Sequence, residues 1–589
     1  MDNKLEASET IENVPKNPYL SGTDTEDDEV AAEAIGGTTK DLPPGYYRSP
    51  SFIGTIVALC LGNCSCYLGW VLPANTLLLI NEDIGPDPNI TWVALVWTLT
   101  ISVSFVLTGR FSDLLGRRWF FIIGNAIGLV GTILGATAHN VNQLIVGNAL
   151  TGIAAAVQLS FTVVISELLP AKWRGYGIGA LFFSSMPFAA FGPVIARSFI
   201  THTSAGWRWS YYLNIIVAGL TVLLFFLFYH PPTYGMLHTR HSKSDIFKML
   251  DIGGAVLFLG GLVLFLIGIS WGGVIYPWKS AKVIGMIIGG FGILVVFVLY
   301  EVYIVKEHQL IPMRLFKNRG YVGTILTAAI GSCVYYSMNV LWPAQIGVLY
   351  ETSVMNVGWW SCVIGAGAVI GQTLCGALVR VLRKQKWQLV FTTLCLVAFT
   401  GGMAAATTKT RSMALAFVLL ASIALGYLEN TAFTIASFCL PPGDLGLALG
   451  LLGCVRSSIA TVASAVFQTV LSNKLTTNLP KYVTPAATNA GLPPSSLPEL
   501  FKALTTGNFT SVPGITPEIT AAAAAANQTA YTESFKVVYL VSLAFGGLGI
   551  IASLNAPNVE KFFTENIPRR LHGRDIEKKT FANEKVEQV

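Results

Sequence analysis

The sequence predicts an all-α membrane protein of fourteen transmembrane helices, and three observations carry that reading. Hydrophobic residues make up 53% of the chain and charged ones 12%, roughly half the charged share of an average soluble domain. Apolar runs recur from Ser51 to Asn555 with no polar domain between them, so one membrane domain explains the length better than several soluble ones. Lys and Arg sort into alternate gaps between the runs, as orientation in a bilayer demands.

A helix needs about 20 apolar residues to cross the hydrocarbon core. Runs of that kind fall at 51–74, 90–109, 119–138, 142–166, 177–200, 210–229, 251–270, 282–304, 320–345, 357–380, 387–407, 413–438, 445–472 and 534–556. Arg110, Arg117 and Arg118 follow the second run, Lys172 and Arg174 the fourth, and Arg240, Lys243 and Lys248 the sixth. Lys306, Arg314, Lys317 and Arg319 follow the eighth, and Arg380, Arg383, Lys384 and Lys386 the tenth. Cytoplasmic retention of these cations places both termini in the cytoplasm. The sequons at Asn89, Asn508 and Asn527 then fall outside, where glycans are added.

These runs divide the chain into a disordered acidic cytoplasmic head (1–50) and a first set of six helices (51–229). A cytoplasmic linker with two extra helices (230–319) separates it from a second set of six (320–556), which carries a flexible Ala-, Thr- and Pro-rich outer loop at 473–533. A charged tail, expected to be disordered, closes the chain at 557–589. No signal peptide is expected, because the head has no apolar core and the first span can direct insertion.

Several function classes lack their sequence marks. The basic residues form no aromatic-interleaved patch for nucleic acid. The nine Cys have no zinc-ligand spacing, and Cys60, Cys64 and Cys66 read as helix-packing residues. No phosphate-binding GxxxxGK[ST] loop occurs, and the seven His are scattered over loops and tails. The expectation is a protein that is not an enzyme, with no catalytic residues, metal or cofactor, and with a proton gradient as the energy source for efflux.

The segment Gly109-Arg110-Phe111-Ser112-Asp113-Leu114-Leu115-Gly116-Arg117-Arg118 follows the second run. Gly109 and Gly116 suit close helix approach and a tight turn, while Asp113, with Arg117 and Arg118 nearby, can bridge to helix ends and basic side chains elsewhere. A fainter echo at Gly376–Lys384 follows the tenth run and suggests paired repeats. The first segment resembles the loop signature of the major facilitator superfamily. That resemblance implies a major facilitator fold, two six-helix halves with two central extra helices, and residues 109–118 as a conformational gate. Gly147–Ala156 is similar to the superfamily's second motif, with Asn148 where Arg usually stands. Pro187, Gly192 and Pro193 keep part of the antiporter motif and are read as a hinge or as packing.

The stretches Gly206–Asn214, Asp251–Gly254 and Gly268–Gly273 extend the likeness to the fungal trichothecene efflux pump family, relatives of drug:proton antiporters. The resemblance implies a monomeric fungal pump of the plasma membrane or of a vesicle, exporting a small lipophilic secondary metabolite, mycotoxin or drug. Siderophore-iron uptake by proton symport is the alternative within this fold, and a non-transporting membrane sensor the alternative outside it.

Ionisable groups deep in a bilayer cost several kcal/mol and mark function. Glu429 in the twelfth run and Arg456 in the thirteenth are such groups, and they form either a proton-coupling pair or a static ion pair. Glu167, near the end of the fourth run, is expected to snorkel toward the interface. Tyr67, Trp70, Gln158, Asn339, Trp342, Gln345 and Gln372 are the candidates for a substrate cavity, being aromatic or amide residues at membrane depth.

Overall fold

Within a bilayer each peptide group must find its partner inside its own segment, and the chain is built almost wholly of helices. The computed structural model describes residues 35–571 except 86, 88, 233–250, 274, 306–308, 352, 442–443, 507–508 and 510–511. Asn508, Arg240, Lys243, Lys248 and Lys306 lie outside the described residues, as do 1–34 and 572–589.

The first half holds α1 (Pro50–Ala74), α2 (Leu77–Ile84), α3 (Trp92–Leu115), α4 (Arg117–Ala136), α5 (Val141–Leu159), α6 (Phe161–Leu168), α7 (Arg174–Ser184), α8 (Met186–Ala189), α9 (Gly192–His202) and α10 (Arg208–Phe228). An inserted pair follows, α11 (Ile252–Trp271) and α12 (Ala281–Tyr303). The second half holds α13 (Arg314–Lys317), α14 (Arg319–Leu349), α15 (Val354–Leu378), α16 (Gln385–Gly402), α17 (Arg411–Ala436), α18 (Leu445–Asn489), α19 (Leu497–Thr506) and α20 (Pro517–Ser553). Side-chain caps start several of them. Ser49, Asp251, Ser280 and Asn318 each accept a first-turn N–H of α1, α11, α12 and α14, satisfying donors that a helix start leaves orphaned.

Thirteen helices among the described residues are long and apolar enough to cross a membrane, counting α5 with its continuation α6. The expected fifth span, 177–200, is instead divided among α7, α8 and α9. Pro187 and Pro193 stand at the starts of α8 and α9, where a missing N–H breaks no hydrogen bond and the chain can begin a new helix in a new direction.

The halves meet along two seams, α3 against α18 and α7 and α9 against α15. Both are built on glycine. A Cβ on Gly109 would lie 2.3 Å from the Gly446 carbonyl oxygen, and one on Gly179 would lie 3.0 Å from the Gly376 Cα. The inserted α11 and α12 pack on each other, and α11 reaches α3 and α18. The outward side chains of α12, such as Ile288, Phe291 and Val302, are exposed, as a lipid-facing surface requires.

Two expectations need correction. Residues 473–533 are not a flexible loop: α18 continues to Asn489, α19 follows, and α20 begins at Pro517. At about 1.5 Å per residue, α18 overshoots a bilayer, and its far end packs Val483 and Ala487 against Leu500, Ile519 and Ala523 in a small apolar core. The Ala-rich composition that suggested a loop is also the best helix former, and apolar residues four apart give these helices faces to bury.

The described parts of the head and tail are also ordered. Ile35–Gly37 (β1) pairs antiparallel with Ile567–Arg569 (β2), with Ile35 opposite Arg569 and Gly37 opposite Ile567. The described residues nearest the two ends of the chain therefore meet on one face, called here the terminal face. The charged composition of the tail hid its buried anchors Val559, Ile567 and Leu571.

Candidate functional site

An aromatic cavity lies between the halves. Tyr67 and Trp70 of α1 and Trp97 of α3 face Tyr335 and Tyr336 of α14, with Arg456 of α18 at the edge. Cys66, Leu159, Phe182 and Phe433 complete the lining. Trp70 stacks on Trp97 with ring centroids 5.4 Å apart and meets Tyr336 edge-on at 5.0 Å. Aromatic rings offer broad apolar surface, with hydroxyl and indole N–H groups for orientation.

Beside the cavity, Arg456 Nη2 lies 2.9 Å from Glu429 Oε1. Ser332 Oγ donates to the same oxygen at 3.1 Å and accepts from Arg456 Nε. Gln372 Nε2 donates to Glu429 Oε2 at 3.1 Å. Glu429 is 3% exposed and Arg456 6%, so each buried charge has its opposite and its hydrogen bonds, the condition for tolerating charge there.

The terminal face is closed by a second charged cluster. Asp113 Oδ2, at the end of α3, accepts the Leu447 N–H in the first turn of α18 at 2.9 Å, across the seam. Arg117 Nη2 reaches Asp113 Oδ1 at 2.5 Å, and Arg117 Nε lies 2.8 Å from Glu167 Oε2. Arg569 of the tail adds a second cation, 3.0 Å from Glu167 Oε1. Arg110 and Arg314 flank Asp444 at 3.5 and 3.6 Å. On the opposite face Arg197 of α9 donates to the Asn75 carbonyl at the end of α1 at 3.1 Å and to the Val354 carbonyl at the start of α15 at 3.5 Å. The cavity thus lies between two bridged ends.

The residues singled out from sequence divide clearly. Glu429, Arg456, Gln372, Tyr67 and Trp70 come together at the centre, and Asp113 and Arg117 at the terminal face. Across the seam Asp113 meets a helix N–H of the other half rather than one of that half's basic side chains. Gly116 adopts φ +92° at the break between α3 and α4, a conformation suited to glycine. Arg118 stands apart, donating to the Phe226 carbonyl at 3.1 Å. Pro187, Gly192 and Pro193 occupy the broken segment, where a Cβ on Gly192 would lie 2.9 Å from Val71 Cγ1 of α1.

Four cavity candidates lie elsewhere because their polar groups have local partners. Gln158 donates to Ser65 Oγ at 3.3 Å and Asn125 Oδ1 at 3.1 Å inside the first half. Asn339 donates to the Tyr335 carbonyl of its own helix, Trp342 to the Trp360 carbonyl, and Gln345 accepts from Tyr539. Glu167 does not snorkel: at 3% exposure it is held inside by two arginines. Of the sequons, Asn89 lies in a turn before α3 and Asn527 on α20, both half-buried. The sequence reading missed Trp97, Tyr335 and Tyr336, although they satisfy the same test of an aromatic at membrane depth that selected Tyr67 and Trp70. It also missed Arg197 and Arg569.

Two helical halves thus meet on glycine seams around a cavity between them. Solved structures share the fold: the proton:xylose symporter XylE of the major facilitator superfamily aligns with TM-score 0.52 and 14% identity, covering 87% of this chain and 98% of that one. A bacterial homologue of the human lysosomal transporter Spinster, inward-facing and unoccupied, aligns with TM-score 0.51 and 15% identity, covering 87% and 98%. The chain has the major facilitator fold.

Sequence comparison narrows the class. The family profile described as fungal trichothecene efflux pump (TRI12) matches residues 17–588. The trichothecene efflux pump TRI12 of Fusarium sporotrichioides is 31% identical over 560 residues, 93% of each chain. The MFS-type transporter prx5 of Penicillium rubens is 29% identical over 555 residues, 92% of this chain and 98% of that protein. The chain belongs to the fungal trichothecene efflux pump family.

Proposed function

We propose that this protein exports a lipophilic, oxygen-bearing secondary metabolite of the trichothecene kind, in exchange for protons. The observation that carries the reading is the contact between the aromatic cavity and the Glu429–Arg456 pair. An uncharged polycyclic substrate would be held by the faces of Trp70, Trp97, Tyr335 and Tyr336, with Arg456 as donor to its oxygens. The family membership supports the substrate class.

In this reading Glu429 is the coupling group. Its proton and the substrate exclude each other: the ionised carboxylate holds Arg456 at the cavity wall, where it can donate to the substrate, and protonation releases the guanidinium into the space the substrate would occupy. The two seams open in alternation, the terminal face through Asp113, Arg117 and Glu167 and the opposite face through Arg197, with the α7–α9 breaks as the hinge. The basic gaps support a cytoplasmic terminal face, which leaves Asn89 and Asn527 outside as glycan acceptors. The plasma membrane and a monomeric state complete the proposal.

Flux in sealed inside-out vesicles tests it. A trichothecene should accumulate when the lumen is acidified, and collapse of the gradient should abolish accumulation. Accumulation that ignores the gradient would refute the coupling, and absence of trichothecene movement under any gradient would refute the substrate class.

A further inference from the structure

After α20 the chain crosses the terminal face instead of leaving it. Pro557 packs on Gly320, where an added Cβ would lie 3.0 Å from the proline Cδ. The rings of Phe562 and Phe563 lie 6.5 and 5.4 Å from that of Phe438, and Glu560 Oε2 accepts the Lys384 N–H at 3.1 Å. All three contacts are to the second half.

The next residues bind the first half. The carbonyls of Thr564 and Asn566 accept the N–H groups of Lys172 and Ala171 at 2.9 and 3.1 Å, and Glu565 pairs with Lys172. Beyond these, β2 pairs with β1, and the Leu571 N–H donates to the Tyr46 hydroxyl at 2.9 Å. One short segment therefore ties together both halves and residues 35–46 ahead of α1.

The side chain it sends into the charged cluster of this face is Arg569. Asp113 and Glu167 bring two negative charges into the terminal-face cluster, and Arg117 brings one positive charge. Arg569 Nη1, 3.0 Å from Glu167 Oε1, supplies the second, and its side chain is 13% exposed against 4% for its partner. Arg569 and Arg117 are the two cations in direct contact with Glu167, with Arg174 acting on it from further away, so undocking the tail takes one of two direct partners from a buried carboxylate, a change that is disfavoured.

We propose that residues 557–571 are a strap belonging to the gate itself: through Arg569 they hold the terminal face shut, and they must release one half before the cavity can open on that face. The proposal rests on the alternating movement of the two halves described above, and its test needs no transported substrate. The reason is geometric. Opening this face separates α3 from α18 and α7 from α15, and a segment bonded to Lys172 on one side and to Lys384 and Phe438 on the other cannot stay seated on both.

Hydrogen exchange on the full-length protein in lipid nanodiscs tests the strap. Two variants are compared with the wild type. Arg569→Ala removes the buried cation. Ala171→Pro removes only the donor to Asn566 and leaves every charge in place; it follows Pro170, whose extended backbone at ψ 141° suits a proline after it. Both variants should speed exchange in the segments spanning 105–117 and 444–452 by about tenfold or more, the signature of more frequent local opening. Protection of the helical cap at 483–523 should not change, which reports intact folding. Faster exchange of 564–571 in Ala171→Pro with wild-type rates at 105–117 and 444–452 would show a tail that merely rests on the gate, and would overturn the proposal. Should Arg569→Ala fail to fold, Ala171→Pro decides alone. Failure of toxin flux in the wild type, by contrast, would count against the substrate reading and leave this result standing.

Discussion

The carboxylate of Asp113 accepts the backbone N–H of Leu447 at 2.9 Å, across a seam where Gly109 and Gly446 bring two helices into backbone contact. The two residues are 334 positions apart in sequence and belong to different halves. The acceptor is a full charge at a helix N-terminus, where unpaired N–H groups favour anions, and Arg117 holds it in place from behind. Such a contact is strong when made and has nothing to replace it when the helices part, which suits a latch.

Asp113→Asn keeps the shape and removes the charge. A hydrogen bond to a charged group contributes about 1.5–3 kcal/mol, so the closed terminal face should lose roughly 10- to 100-fold in population. Exchange of the Leu447 amide should rise accordingly while the fold is kept; an unchanged rate would contradict the latch.

Two glycine substitutions separate movement from stability. A Cβ on Gly109 would meet the Gly446 carbonyl across the seam between halves, whereas one on Gly426 would come 1.9 Å from the Ala368 carbonyl inside the second half. Overpacking costs about 1–3 kcal/mol. Gly109→Ala should slow transport with little change in melting temperature, because the seam can stay ajar, and Gly426→Ala should lower the melting temperature. Equal loss of stability in both would show that the seam is ordinary core.

The cavity assignment predicts a division of effects between aromatic and amide positions. Trp97→Ala and Tyr336→Ala remove rings whose contacts are worth about 0.5–1.5 kcal/mol each, and should raise KM for substrate roughly three- to tenfold. Gln158→Ala leaves Ser65 and Asn125 without their donor, at a cost of about 1–3 kcal/mol in stability, and should leave KM unchanged. A KM effect at Gln158 would move the site into the first half.

Much of the fold was legible because a bilayer allows few solutions. Thirteen of the fourteen expected spans and the Glu429–Arg456 pair followed from length and buried charge, and Gly109 was legible as a point of close helix approach. What remained hidden was decided by partners that a one-dimensional reading does not contain. Asn339 and Trp342 look like cavity residues until their local carbonyls are seen, and the division of α7–α9 depends on where Pro187 and Pro193 direct the chain. The 473–533 segment and the tail were misread for one shared reason. Their composition is polar on average, and the few apolar residues that anchor them, Val483 and Ile519 in one and Val559 and Ile567 in the other, find their contacts far away in sequence.

The strap carries a pH signature. The Lys172 side chain, by hydrogen bond and charge, and then the Thr39 hydroxyl hold the Glu565 carboxyl below the usual carboxylate range. A depressed acid adds stability above its unfolded pKa of about 4.3 and loses it as pH falls through the lower folded value. Tail protection, corrected for intrinsic exchange, should be flat across neutral pH and weaken only in acid below that point. Lys172→Ala should remove the acid-side transition; a transition near neutrality would assign the strap to other groups.

Proton release on substrate binding tests the central claim most directly. Purified protein in weakly buffered solution is mixed with a trichothecene while a pH indicator is followed, in the wild type and in Glu429→Gln. If substrate and proton compete for Glu429, the wild type releases protons on binding and the variant binds the toxin with no release. Binding without release in the wild type, or equal release from Glu429→Gln, would contradict the account and reduce the Glu429–Arg456 pair to a fixed strut of the second half.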